Sequence, residues 1–134
     1  SLIIYTSTWN CSSMLNLRNL TLDYSIKSLD ELEGWLLSNF KHHNDLIAQK
    51  KLLDYITIYI GETVRKHIGG KWYIDLKNKK NAYYSMPVLT DPSYVGEVYV
   101  APMTYATACI SRKKGNYIST ILLNCMEDMG IINR

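Results

Sequence analysis

Two kinds of hydrophobic spacing divide the chain. Leu29, Leu32, Trp35, Leu36 and Phe40 recur every three or four residues and form one helical stripe. Ser28-Leu29-Asp30-Glu31 reads as a capping box in front of it: Ser28 accepts from the Glu31 amide, and the Glu31 side chain returns to the Ser28 amide. Lys41-His42-His43-Asn44-Asp45 breaks the stripe, so the spacing predicts a helix over about 28 to 41. A longer stripe carries Ile47, Leu52, Leu53, Ile56, Ile60, Val64 and Ile68. Asn44 or Asp45 can cap its start, and Gly69-Gly70 ends it. Tyr55, Ile58 and Tyr59 widen its apolar face, which predicts burial against both a sheet and another helix.

After the glycines the period falls to two, with Trp72, Ile74 and Leu76 alternating with Tyr73, Asp75 and Lys77. Asn78-Lys79-Lys80-Asn81 is a turn, and Ala82 to Leu89 reads as a second strand in an antiparallel hairpin. Asp91-Pro92-Ser93 is another turn, and Gly96 to Val100 is a third strand. Pro102 opens a helix, because its missing amide N–H has no partner in a first turn. Met103, Ala106, Ile110, Tyr117, Ile118, Ile121, Leu122 and Cys125 carry apolar spacing through Met126, with a weak point at Lys113-Lys114-Gly115. Over residues 1 to 24 the pattern leaves a short helix and irregular structure both open, with Trp9, Met14, Leu15 and Leu17 as core candidates. The alternation Leu20, Leu22, Tyr24, Ile26 fits either a short strand or an extended lead-in. The expected fold is one α+β domain spanning 1 to 134: N-terminal helices, a small antiparallel three-stranded meander, and a C-terminal helix packed around one core.

Composition narrows the function classes. A length of 134 residues is enough to bury an ordinary core, and no apolar run reaches the length of a membrane span. The first residues, Ser1-Leu2-Ile3-Ile4-Tyr5, lack the basic region of a secretory signal, and Cys11, Cys109 and Cys125 lack paired spacing. A cytoplasmic protein with free thiols is expected. The net charge of +3 is too small to imply nucleic acid. Two basic clusters, Lys77, Lys79, Lys80 and Arg112, Lys113, Lys114, fall at turns and read as solvated loop tips.

Gly61 interrupts a helix interior, where glycine costs about 1 kcal/mol against alanine, which implies a close backbone approach. Beside it Glu62 and Arg65 lie three apart, on one face. With His67 they form the only acid, cation and base set worth testing, as in a metal-independent nuclease or other hydrolase. The competing reading is an ion pair that holds the helix end. His42 and His43 are adjacent and point apart, no metal-ligand spacing occurs, and neither a nucleophile elbow nor a phosphate-binding glycine pattern is present. No cofactor, no metal and no catalytic residue is therefore assigned. Eleven tyrosines are the remaining oddity. Tyr73, Tyr83, Tyr84, Tyr94 and Tyr99 fall in the meander, where they are candidates for a protein-binding face.

Leu22-Asp23-Tyr24-Ser25-Ile26-Lys27-Ser28-Leu29-Asp30-Glu31-Leu32-Glu33, with Tyr59-Ile60-Gly61-Glu62-Thr63-Val64-Arg65 and Gly69-Gly70-Lys71-Trp72, resembles a family of small bacterial domains. Their shared pattern is D-y-S-x-x-S-L followed by Y-x-G-E-x-x-R-x-x-x-G-G-x-W, and it covers roughly residues 22 to 102. Some members sit beside polymorphic toxins and resemble immunity proteins. The resemblance implies a stoichiometric, non-catalytic inhibitor of a cognate protein toxin, with no nucleic-acid or membrane partner. It also implies that Gly61, Glu62, Arg65, Gly69, Gly70 and Trp72 maintain the fold while loops and exposed aromatics make the contacts.

Overall fold

Ser25, three residues upstream of the expected cap, starts the first helix. A computed structural model describes residues 17, 19–96 and 99–133; the expectations for Trp9, Met14, Leu15 and Cys11 lie outside them. Ser25 has an extended backbone, its Oγ accepts the Ser28 amide at 3.1 Å, and Ser28 Oγ donates to the Ser25 carbonyl at 2.6 Å. Helix α1 is therefore Ile26–Asn39. Ser28 is unavailable as a cap because it is buried inside the first turn, with its hydroxyl also 2.6 Å from the Tyr59 hydroxyl. The alternation before α1 is a lead-in and not a strand: Tyr24 takes φ 63, and its amide donates to Tyr59 Oη at 2.9 Å.

The second stripe divides into α2, His43–Ile47, and α3, Lys50–Ile68. Neither Asn44 nor Asp45 caps it, since α2 begins after His42 without a side-chain acceptor. The break also turns the stripe: Leu46 is fully buried, whereas Ile47 is 48% exposed. From Leu52 onward the helical spacing holds to Ile68, and Gly69 ends α3 at φ 74.

The sheet is antiparallel in the order β1 (Lys71–Tyr73), β2 (Val88–Thr90), β3 (Tyr99–Val100). Trp72 pairs with Leu89, and Leu89 with Val100. The meander order agrees with the sequence expectation, but the first two strands are much shorter and no tight hairpin joins them; Glu97 and Val98 of the expected third strand lie outside the described residues. Asp75 is the reason. Its carboxylate accepts the amides of Lys77 and Asn78 and the Asn81 side-chain amide, folding the chain into a loop where a strand was expected. The isolated bridge in that stretch, Asp75 to Tyr84, is parallel and not part of the expected antiparallel hairpin.

Beyond the sheet, the expected C-terminal helix is two helices. Pro102 opens α4, Pro102–Arg112, and Lys113 in a left-handed conformation ends it; α5, Tyr117–Asp128, follows. The start of α5 is held from a distance. Glu33 of α1, fully buried, accepts the amides of Tyr117 and Ile118 at 2.9 Å each. A carboxylate at a helix N-terminus meets unpaired amides and the positive end of the helix dipole, so the buried charge is compensated. The core joins all layers: Leu29, Leu32 and Leu36 of α1, Ile56 and Ile60 of α3, Ile110 of α4, Ile118 of α5, and Leu89 and Val100 of the sheet.

Candidate functional site

The motif residues gather at the joint between α3 and β1. The indole of Trp72 lies against Gly61, where any Cβ would collide with its six-membered ring. This is the close approach that the helical glycine implied. Arg65 donates from its Nη1 to Glu62 at 2.7 Å and from its Nε to the Gly70 carbonyl at 3.0 Å. On the other side Tyr94 Oη donates to the Gly69 carbonyl at 2.7 Å, and a Cβ at Gly70 would strike that hydroxyl. One side chain from α3 and one from the β2–β3 loop thus fasten the same two-glycine turn.

His67 points elsewhere. Its Nε2 donates to the Tyr24 carbonyl at 3.1 Å, and the Tyr24 ring stacks on Tyr59 at 4.9 Å. The lead-in to α1 is thereby pinned to α3. Glu62, Arg65 and His67 each hold backbone or one another, and the three do not converge on one reacting position.

The five meander tyrosines separate into different roles. Tyr73 and Tyr99 stack in parallel with ring centroids 5.9 Å apart, and Tyr83 meets Tyr99 edge-on at 6.1 Å. By register Tyr73, Val88, Thr90 and Tyr99 share one sheet face, so these rings stand over the buried Val88. Tyr94 is turned inward, and burial together with nearby Asp91 pushes its hydroxyl up to about 12. Tyr84 sits at the Asp75 bridge. Tyr73, at 44% exposed, is the one that reaches furthest into solvent.

Tyr73 also lies on the rim of an open groove of ≈ 880 Å³ between α3 and β1. Asp54, Ile58, Glu62 and Lys66, four residues apart along α3, form one wall; Trp72, Tyr73 and Ile74 form the other. Ile74 and Leu76 are 45% and 63% exposed, so the groove opens onto an apolar ledge. The alternation Trp72, Ile74, Leu76 was legible in the sequence as one face of a strand, without saying which face is covered. A smaller cavity of ≈ 410 Å³ lies between the sheet and α5, lined by Tyr83, Tyr94, Tyr105 and Tyr117 among others.

The polar groups that line the groove are Asp54, Thr57, Glu62 and Lys66, with the tyrosines Tyr24 and Tyr73. Among the described residues no three His, Cys, Asp or Glu side chains stand together as a metal site. Cys109 is buried under α4, and burial, with Glu33 nearby, pushes its thiol up to about 12, away from nucleophilic use at neutral pH. Among those residues no helix is long and apolar enough to cross a membrane. Comparison of the chain with protein-family models, curated proteins and solved structures finds no match.

Proposed function

We propose that the chain is a non-catalytic protein-binding domain that neutralises a cognate bacterial toxin by stoichiometric occlusion. The observation that carries the binding part is the ledge Tyr73, Ile74 and Leu76 beside an open groove. Large apolar side chains standing together in solvent mark contact surfaces, and an aromatic side chain next to aliphatic ones is the usual make-up of an interface centre. The inhibitory part rests on the resemblance of the Tyr59-to-Trp72 motif to the toxin-associated domains. Its residues serve as a joint that holds the groove wall to the strand, which leaves contact to the ledge.

Co-expression with the products of neighbouring genes tests the reading. One toxic product whose growth arrest is relieved by this chain, and which forms a one-to-one complex with it, is the expected result. Relief of no neighbouring toxicity would sink it. Replacing Glu62 with Gln separates this from a hydrolase: neutralisation persists if Glu62 only orients Arg65.

A further inference from the structure

Resting on the protein-binding reading above, we infer that the groove between α3 and β1 takes an arginine side chain of the partner, flanked by apolar residues, with its guanidinium on the Asp54 carboxylate.

The joint fixes how the two walls run past each other. Arg65 reaches the Gly70 carbonyl and Gly61 meets Trp72, so two residues along the strand keep step with four along the helix, each about 6 to 7 Å. The same step sets Ile74 beside Thr57 and Ile58, towards the start of α3. Extending the β1–β2 register by one pair puts Pro87 opposite Ile74. Asp54 lies one turn beyond Ile58, so it closes this end of the groove next to aliphatic side chains.

Asp54 is the uncompensated charge of the groove. It is half-buried and has no hydrogen-bond or ion-pair partner among the described residues, where Arg65–Glu62 is the one ion pair. Glu62 is thereby taken. Lys50 and Lys51 on the preceding turn are exposed and form no ion pair with Asp54. Lys66 stands at the other end of the wall, about 18 Å away and beyond the screening length of about 8 Å at physiological salt. None of Lys71, Lys77, Lys79 and Lys80 lines the groove. A carboxylate that has given up part of its water without meeting a cation gains when one is brought to it.

The walls decide which cation fits. Ile58, Ile74 and Pro87 are aliphatic, and Trp72, Tyr73 and Tyr24 add aromatic rings along the groove. A guanidinium is flat and weakly hydrated, gives a carboxylate two parallel hydrogen bonds, and lies against such surfaces where an ammonium keeps its water. The groove, ≈ 880 Å³, is larger than one side chain, which leaves room for apolar neighbours of the arginine on Ile74 and Trp72. Arginine beside apolar residues is also a frequent make-up of interface centres.

The probe is a pair of ten-residue peptides with the same apolar residues around a central Arg or a central Gln. Each is titrated into the isotope-labelled full chain. The Arg peptide is expected to shift the amide signals of residues 54–58 and 72–74 and to bind about tenfold more tightly than the Gln peptide. Asp54→Asn should remove that preference while the signals of α1, α4 and α5 stay in place. If this variant misfolds, the Asp54 carboxyl signal of the wild-type chain must still move with the Arg peptide and not with the Gln peptide. Equal binding of the two peptides, no shift at ~1 mM peptide, shifts confined to other surfaces, or a preference for Arg that survives Asp54→Asn each overturn the inference. So does a shift of the same amides on concentrating the chain alone, which would put a second copy in the groove. Methylguanidinium binding as tightly as the Arg peptide overturns it too, because the apolar flank would then have no role. An Asp54→Asn chain that loses the Arg preference yet neutralises the toxin as well as wild type overturns the arginine guest alone. A chain that binds the Arg peptide but relieves no neighbouring toxicity keeps the groove assignment and removes the inhibitor reading.

Discussion

The helical layers and the β1 edge treat their side chains in opposite ways. In the helices most buried polar groups find a partner, Ser28 on Ser25 and Tyr59, Glu33 on two amides of α5, Thr57 on the Leu53 carbonyl, Thr63 on the Tyr59 carbonyl, with Trp35 Nε1 the exception among the described residues. Along β1 and the loop after it, Tyr73, Ile74 and Leu76 stand in water, and Lys71, Lys77, Lys79 and Lys80 of the same stretch are exposed too. A buried polar group costs little once it is hydrogen-bonded, so the helical side is closed. Apolar surface left in water gains only when something covers it. The contrast places the buried, hydrogen-bonded core on one side of the molecule and the exposed apolar side chains, to which binding is proposed, on the other.

The largest test of that division is Glu33→Ala. It strips two buried amides of a charged acceptor and should lower unfolding free energy by about 3 kcal/mol, measured by urea denaturation. A loss under ~1 kcal/mol would mean that water reaches the start of α5 and that the helical side is not closed.

Next is Gly61→Ala, where the new methyl meets Trp72. About 2 kcal/mol of destabilisation is expected from overpacking. The penalty should shrink when Trp72 is replaced by Ala, since the two positions are in contact. An unchanged penalty in the double variant would break the account of the joint. Tyr59→Phe, which removes the hydroxyl shared by Ser28 and the Tyr24 amide, should cost about 1–2 kcal/mol.

Alkaline pH sharpens the comparison further. Cys109 keeps its proton in the folded state up to about 12, against 9.0 for a free thiol. The unfolded thiol therefore ionises first, and stability should fall as pH rises from about 9 toward 12. Tyr94 adds to the same decline above its ordinary value of 10.0. Denaturation midpoints for Cys109→Ala across this range should decline less steeply than wild type, and an identical slope would contradict the burial of this thiol. The smallest stability effect belongs to Leu76→Ser. Exposed Leu76 makes a change within about 0.5 kcal/mol the expectation, while toxin neutralisation is lost. A large loss of stability with binding intact would place Leu76 on the wrong side of the division.

Much of the helical part was legible because a 3.6-residue apolar period survives in any context that buries one face. The stripe from Leu52 to Ile68, the glycine stop, and the Pro102 start all follow from local rules. The start of α1 was misread because two serines compete to cap and distant Tyr59 holds Ser28, whereas α2 begins after His42 with no side-chain cap. Glu33 gave no signal as an anchor, since its partners at Tyr117 and Ile118 lie more than eighty residues away. Of the candidate surface, Tyr73 was named from the sequence, whereas Ile74 and Leu76 were placed only on the strand alternation.

Local chemistry alone determined where the main helical stripes run, that extended pieces in antiparallel order follow Gly69-Gly70, and that Gly61 must admit something close. Period, propensity and glycine freedom act within a few residues and need no fold. The tertiary structure decided that the close neighbour is Trp72, that Asp75 ends the first strand early, and that Ile74 and Leu76 face solvent while Leu89 faces the core. An alternating pattern marks two faces of a strand without saying which is covered. Coverage depends on which layers pack against it, and α3 meets β1 at Trp72 and leaves the groove open beside it.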